Sequence, residues 1–117
     1  MILYGIKNCD TVKKARTALT DAGVDYRFHD FRAEGIDAAT IQGWIDELGL
    51  DRVLNKRGTT WRKLDEAVKA GLSPDTAAAL MAAHPTLIKR PVIDLGGTHL
   101  IGFTKAEQDA LAEHLGG

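Results

Sequence analysis

The first 31 residues constrain the fold most strongly, because strand, helix and strand patterns follow one another there without interruption. Residues 2–6 are a short apolar run, and apolar side chains over residues 10–22 recur at spacings of three and four, as on one face of a helix. Val24, Tyr26 and Phe28 then alternate with polar residues, which is typical of a strand with one covered face. Since strands joined by a helix lie parallel, the chain is predicted to open with a parallel β-α-β unit.

The middle of the chain, residues 36–85, carries mainly helical patterns. Asp37 is a typical N-cap for a helix that ends at Gly49. Ser73 followed by a proline predicts the start of a helix that runs to His84. Between these two helices the pattern is less regular, and spaced apolar residues favour one more helix: Trp61, Leu64 and Val68.

After Pro85 the pattern returns to strands. Gly96 and Gly97 provide a hairpin turn signal between two short apolar stretches, and Thr104 with Glu107 forms a capping box that opens a last helix. The order β-α-β, helices, β-β-α is that of a thioredoxin-like fold with a helical insertion. We therefore predict an α/β, thioredoxin-like fold with a mixed four-stranded sheet, formed by segments near residues 1–6, 24–31, 91–95 and 98–103.

The same order predicts a single domain over residues 1–117, with a core of residues 1–35 and 86–117 and a helical insertion of residues 36–85. No apolar run approaches the roughly 20 residues of a membrane-spanning helix, and the N-terminus has no basic, apolar leader. One cysteine cannot form an intramolecular disulfide, and the four histidines share no metal-ligand spacing. We expect a cytoplasmic protein that binds no metal.

The single cysteine, Cys9, stands where the first strand gives way to the first helix. Unpaired backbone N–H groups and the helix dipole favour a thiolate at such a position. Lys7 and Lys13 add attraction for the anion, whereas Asp10 opposes it. Two interpretations stay open here: Cys9 is a reactive thiol, or it is a small buried apolar side chain.

The neighbours of the cysteine limit its redox chemistry. A thioredoxin-type dithiol needs a second cysteine where Val12 stands, so any redox cycle requires an external thiol such as glutathione. Thr11 is placed either to donate a hydrogen bond to the sulfur or simply to cap the first turn. In thioredoxin-like folds the proline at the position of Pro91 is commonly cis and faces the thiol; the alternative is a proline at the start of an edge strand. Arg90 could then hold an anion or a glutathione carboxylate.

The net charge of −1 indicates no particular class of partner. Residues 52–63, however, include five basic side chains and no acidic one. This segment is either an ordinary solvated basic face or an anion-binding surface.

Four separated motifs agree in order with those of one known family. They are YGIKNCDT at residues 4–11, DYRFHD at 25–30, LNKRGTTWRKL at 54–64 and IKRP at 88–91. Together they resemble the arsenate reductase (ArsC) family, and within it the small YffB-like branch. Spx, a transcriptional regulator that binds RNA polymerase, is a neighbouring branch. The resemblance extends over nearly the whole chain.

The resemblance implies a thioredoxin-like core in which Cys9 is the catalytic nucleophile. Family members that reduce arsenate with glutaredoxin surround this cysteine with three arginines. Arg90 stands at the position of one, and Asn55 at another, with Arg57 two residues on as a substitute. The third position falls near Gly102, where this chain has no basic residue.

Two further positions depart from the neighbouring branches. Gly5 replaces a histidine that the arsenate reductases carry shortly before the cysteine, and Val12 replaces the second redox cysteine of Spx. The first difference argues against arsenate reduction, and the second excludes a disulfide switch within the chain.

The sequence therefore supports one leading hypothesis and two alternatives. The leading one is a thiol oxidoreductase linked to glutathione or glutaredoxin, with a disulfide or small-molecule substrate, glutathione as co-substrate and no tightly bound cofactor. The alternatives are a true arsenate reductase and a non-enzymatic, Spx-like binding module that contacts a protein such as RNA polymerase. None of the three hypotheses involves a membrane or direct nucleic-acid binding. The residues expected to bind substrate or glutathione around Cys9 are Lys7, Asn8, Thr11, Arg57, Arg90 and Pro91.

Overall fold

The structure, a computed structural model, describes residues 1–116. The chain divides into two compact units. The first consists of Met1–Glu34 together with the segment from Arg90 onward, and the second is Gly35–Lys89. All four strands lie in the first unit.

The first unit is built on a mixed sheet of strands β1 (Ile2–Gly5), β2 (Arg27–Asp30), β3 (Val92–Asp94) and β4 (His99–Ile101), in the order β2-β1-β3-β4. Strand β1 pairs parallel with β2 and antiparallel with β3, and β3 pairs antiparallel with β4. The predicted mixed four-stranded sheet and thioredoxin-like fold are confirmed. Because β1 and β4 both run opposite to β3, the carboxyl ends of these two strands lie at the same edge of the sheet.

Helix α1 (Asp10–Asp21) follows β1 and covers one face of the sheet. Ala22 is its C-cap, and Gly23 follows with a φ of 72°, which suits a residue without a side chain. The last helix, α8 (Lys105–Gly116), follows β4. The two helices and the sheet share a buried apolar cluster: Leu3, Val12, Ala15, Leu19, Ile93 and Leu111.

The turn predicted before α8 is present, and so is the Glu107 half of the predicted capping box. Gly96 and Gly97 have φ angles of 107° and 125°, so the hairpin requires the left-handed region there. The Glu107 carboxylate accepts hydrogen bonds from the backbone N–H and the hydroxyl of Thr104, at 2.8 and 2.7 Å. The side chain of Glu107 therefore satisfies a backbone donor at the start of the helix.

The second unit consists of helices α3 (Ala38–Leu48), α4 (Leu50–Val53), α5 (Thr59–Arg62), α6 (Glu66–Ala70) and α7 (Ala77–Ala83) and a 3₁₀ turn over Pro85–Leu87. A short helix α2 (Phe31–Glu34) ends the preceding segment. Asp37 caps α3 as predicted, because its carboxylate accepts a hydrogen bond from the Thr40 N–H at 2.7 Å. Helix α3 packs against α7, and its buried side chains are Ile41, Trp44 and Ile45.

Three sequence-based boundaries differ from the structure. Strand β2 begins at Arg27, not at Val24, because the Val24 N–H is bonded to the Leu19 carbonyl at the end of α1. Helix α7 begins at Ala77, since residues 73–76 form a separate turn in which the Thr76 hydroxyl accepts from the Ser73 N–H. The single helix expected around Trp61, Leu64 and Val68 is divided into α5 and α6.

Candidate functional site

Cys9 is the N-cap residue of α1, as its position in the sequence predicts. Its backbone is extended, with φ −111° and ψ 123°, and its carbonyl accepts the first helical hydrogen bond from the Lys13 N–H at 3.0 Å. Lys7 and Asn8 form the exposed turn that leads from β1 into this cap. The cysteine therefore lies where the free N–H groups of a helix of twelve residues collect.

The cysteine side chain is half-buried and packs against the apolar cluster beneath α1. It accepts no capping hydrogen bond from the first turn, so the expected bond from Thr11 to the sulfur is not formed in this conformation. Lys13 and Lys14 are exposed one turn further along α1.

Gly5 brings the end of β1 against the start of α1. A Cβ placed on Gly5 would lie 2.7 Å from Cγ2 of Val12, which is closer than real Cβ contacts, and 3.0 Å from Cγ1, which is tighter than most of them. A side chain at position 5, such as the histidine that the family resemblance implies for arsenate reductases, would therefore overlap Val12. The family motifs indicate only that Gly5 replaces a histidine. A glycine inside a strand is, however, also a signal of close backbone approach.

Arg90 and Pro91 precede β3 and are joined by a cis peptide bond. The β1–β3 register pairs Tyr4 with Val92, so its continuation places Pro91 opposite Gly5. Pro91 is buried and Arg90 is half-buried. Because β1 leads directly to the Cys9 turn, this register brings the Arg90–Pro91 segment to the same edge of the sheet.

The remaining candidate residue, Arg57, belongs to the second unit. Its guanidinium is exposed, and its backbone N–H donates to the Asn55 side-chain oxygen at 3.1 Å, which is an Asx turn. The other basic side chains of residues 52–63 are also exposed. The first unit thus groups six of the seven candidates on its own elements: Lys7, Asn8, Cys9, Thr11, Arg90 and Pro91.

Gly102 lies near the position at which the family resemblance implies a third arginine, and its backbone disfavours any side chain. Its φ is 84°, and an added Cβ would lie 3.2 Å from the Glu107 carboxylate oxygen. Its N–H donates to the Pro91 carbonyl at 2.9 Å, which ties the end of β4 to the start of β3. A glycine at position 102 therefore allows the backbone conformation that connects β4 to β3.

Within residues 1–116, no group of three or more His, Cys, Asp or Glu side chains is arranged to hold a metal ion. None of the helices that the structure describes is long and apolar enough to cross a membrane.

Comparison with known proteins decides the family. The profile of the ArsC family matches residues 4–111, nearly the whole chain. The chain belongs to the ArsC family. A protein of Haemophilus influenzae described as uncharacterized is 48% identical over 108 residues, which cover 92% of this chain and 95% of that protein.

Two further ArsC relatives show the range of the similarity. A solved structure described as the YffB protein is 54% identical, superposes with a TM-score of 0.91 and covers 97% of both chains. The global transcriptional regulator Spx of Streptococcus pyogenes is 28% identical over 107 residues, covering 90% of this chain and 79% of Spx. This chain is thus similar to YffB-like proteins and, at lower identity, to Spx. Membership of the arsenate reductase-like family implies thiol oxidoreductase chemistry.

Proposed function

We propose that this chain is a glutathione-linked thiol oxidoreductase in which Cys9 is the sole nucleophile. The observation that carries the proposal is the position of Cys9 as N-cap of α1, where the dipole of a twelve-residue helix favours a thiolate. The chain contains no other cysteine, so an external thiol must complete the cycle. A reducing compartment, the cytoplasm, suits such a thiol.

The reaction proceeds in two thiol–disulfide exchanges. The Cys9 thiolate attacks one sulfur of a disulfide, the S–S bond breaks, and the other sulfur leaves as a thiolate that takes up a proton. The product is a mixed disulfide on Cys9. A glutathione thiolate then attacks the substrate-derived sulfur or, where glutathione already occupies Cys9, the glutathione sulfur, and Cys9 departs as thiolate. Glutaredoxin can supply the same attacking thiolate.

Several neighbours are proposed to bind the anionic groups of glutathione. Arg90 offers a planar, bidentate donor for a carboxylate at the edge where Cys9 lies. Lys7 and Asn8 are exposed in the turn before Cys9, and Thr11 presents a hydroxyl in the first helical turn. Pro91 shapes the opposite side of the site. The contribution proposed for Arg57 rests on the family resemblance alone.

The direct test is adduct formation. The protein is incubated with oxidised glutathione at neutral pH and weighed by mass spectrometry, and alkylation of the thiol is followed as a function of pH. We expect an adduct of one glutathione, absent in Cys9→Ser, and alkylation at neutral pH faster than that of free cysteine. No adduct together with alkylation no faster than that of free cysteine would contradict the proposal.

A second experiment tests the binding role of Arg90. Arg90→Ala should slow glutathionylation about tenfold, and Arg90→Lys should recover only part of the rate, because lysine keeps the charge but loses the bidentate donor. Arg27→Ala is the matched control, since Arg27 pairs with Ile2 at the far end of β1. Equal glutathionylation rates for all three variants would show that Arg90 does not bind glutathione.

A further inference from the structure

Helices α1 and α8 form the two walls of an apolar groove on the first unit. Its open volume is about 470 Å³. The floor and walls are mostly short or apolar side chains, and Leu115 is 40% exposed although it is large and apolar. The main lining residues are Ala18, Ala22, Phe103, Leu111, Ala112 and Leu115.

A more polar depression adjoins the groove along α1. A second depression shares Ala18 and Phe103 with the first, and Lys13 and Lys14 border it. Because β1 and β4 point to the same edge of the sheet, α1 and α8 both begin at that edge. The lysine end of the groove therefore lies on the Cys9 side, one helical turn from the sulfur-bearing residue.

The charge and the shape of the groove indicate which kind of partner it binds. Lys13 and Lys14 are exposed and form no ion pair among residues 1–116, so they favour an acidic partner at this end. Asp21 borders the same depression two turns further along α1. An extended peptide would find no backbone partners, because both walls are helices whose backbone groups are already paired. A helix brings its own hydrogen bonds, and the alanines allow its axis to approach closely.

We propose that this groove binds a short amphipathic helix of a partner protein, with apolar side chains toward the groove and acidic side chains beside Lys13 and Lys14. The span from Lys13 to Ala22 is about 14 Å at 1.5 Å per residue, which suits a helix of about three turns. The inference rests on the proposed function in one respect: a disulfide next to the acidic end of that helix is delivered to Cys9. The preferred substrate is therefore a protein disulfide.

The probe is a synthetic, helix-stabilised peptide of about eleven residues with leucines along one face and glutamates at one end. A cysteine at the glutamate end carries thionitrobenzoate in a mixed disulfide. The Cys9 thiolate attacks the peptide sulfur, the S–S bond breaks, and thionitrobenzoate leaves as a coloured thiolate. The comparison peptide has lysines in place of the glutamates. We expect the glutamate peptide to react at least tenfold faster than the lysine peptide.

Variants of the protein locate the effect. Ala112→Glu fills the groove and should abolish the preference, whereas Ala106→Glu, also an exposed alanine of α8 but outside the groove, should keep it. Lys14→Glu leaves no net charge at positions 13 and 14 and should remove the preference for the glutamate peptide. Circular dichroism of each variant verifies that it is folded, and Cys9→Ser, which cannot react, should still bind the glutamate peptide in a fluorescence anisotropy titration.

The outcomes separate the two proposals. Equal rates for both peptides, or no effect of Ala112→Glu in a folded variant, would overturn the groove inference while leaving the thiol chemistry intact. If neither peptide nor a small aromatic disulfide releases thionitrobenzoate, the proposed function fails, and peptide binding to Cys9→Ser still tests the groove. Concentration-dependent self-association that Ala112→Glu abolishes would identify a second copy as the occupant and overturn the inference.

Discussion

Gly5 and Val12 hold the first strand and the first helix at a separation that leaves no space for another carbon. A Cβ on Gly5 would lie 2.7 Å from Cγ2 of Val12, and Val12 is fully buried. Cys9, the N-cap of this helix, lies between Gly5 and Val12 in the sequence. The placement of the thiol therefore depends on the absence of a side chain at position 5.

Gly5→Ala is expected to lower the free energy of unfolding by about 1–3 kcal/mol, because the added methyl overpacks a buried contact. In the double variant Gly5→Ala/Val12→Ala the two losses should be less than additive, since the shorter side chain makes room. Urea unfolding of the single and double variants measures this coupling. Gly43→Ala is the control: nothing lies within 4 Å of an added Cβ in that helix, so about 0.5–1 kcal/mol of stabilisation is expected. Additive losses would refute the contact.

Arsenate reduction is expected to be weak or absent when glutathione and glutaredoxin are supplied. An oxyanion needs its charge matched by fixed donors, and this chain has no basic residue near Gly102, where the family resemblance implies an arginine in arsenate reductases. Gly102→Arg should not restore turnover, since φ of 84° disfavours a side chain and Glu107 lies next to it. NADPH consumption coupled through glutathione reductase gives the rate. Turnover comparable to that of a genuine arsenate reductase would contradict this expectation.

Asp94 makes the β3–β4 hairpin sensitive to acid. Burial raises the pKa of this carboxyl, but hydrogen bonds from the Gly96 and Gly97 N–H groups, together with nearby His99 and the N-terminal amine, outweigh burial and lower the pKa below 3.8. A lowered pKa stabilises the fold above the unfolded-state value, and this stabilisation is lost as the pH falls through the folded-state value.

Asp94→Asn should therefore be less stable than the natural chain near neutral pH, by about 1 kcal/mol. The difference should shrink as the pH falls below 3.8, where the natural carboxyl is protonated in the unfolded chain and then in the folded one. Thermal unfolding of both proteins across this range measures it. A difference that is the same at every pH would show that the charge of Asp94 does not matter.

Glu107 is expected to hold the start of α8 together. Glu107→Ala removes the acceptor of two hydrogen bonds from Thr104 and should cost about 1 kcal/mol of stability. Glu113→Ala, an exposed position of the same helix, should change stability little. Urea unfolding distinguishes them, and similar losses in both variants would mean that the cap is unimportant.

Patterns between near neighbours determined much of this protein in advance. The strand–helix–strand opening, the Asp37 and Glu107 caps, the glycine turn at 96–97 and the place of Cys9 at a helix start all follow from side chains within a few residues of each other. Such features depend on spacings of two to four residues, which the sequence displays directly.

The remaining features depend on contacts between distant parts of the chain, and only the tertiary structure decided them. Strand β2 starts at Arg27 because its N–H pairs with the Met1 carbonyl, and the register that carries Pro91 to the Cys9 edge is a long-range pairing. The side chain of Cys9 turns to an apolar cluster that includes Leu111 from the far end of the sequence. Local propensity contains no information about such partners, because burial and packing are properties of the assembled sheet and helices.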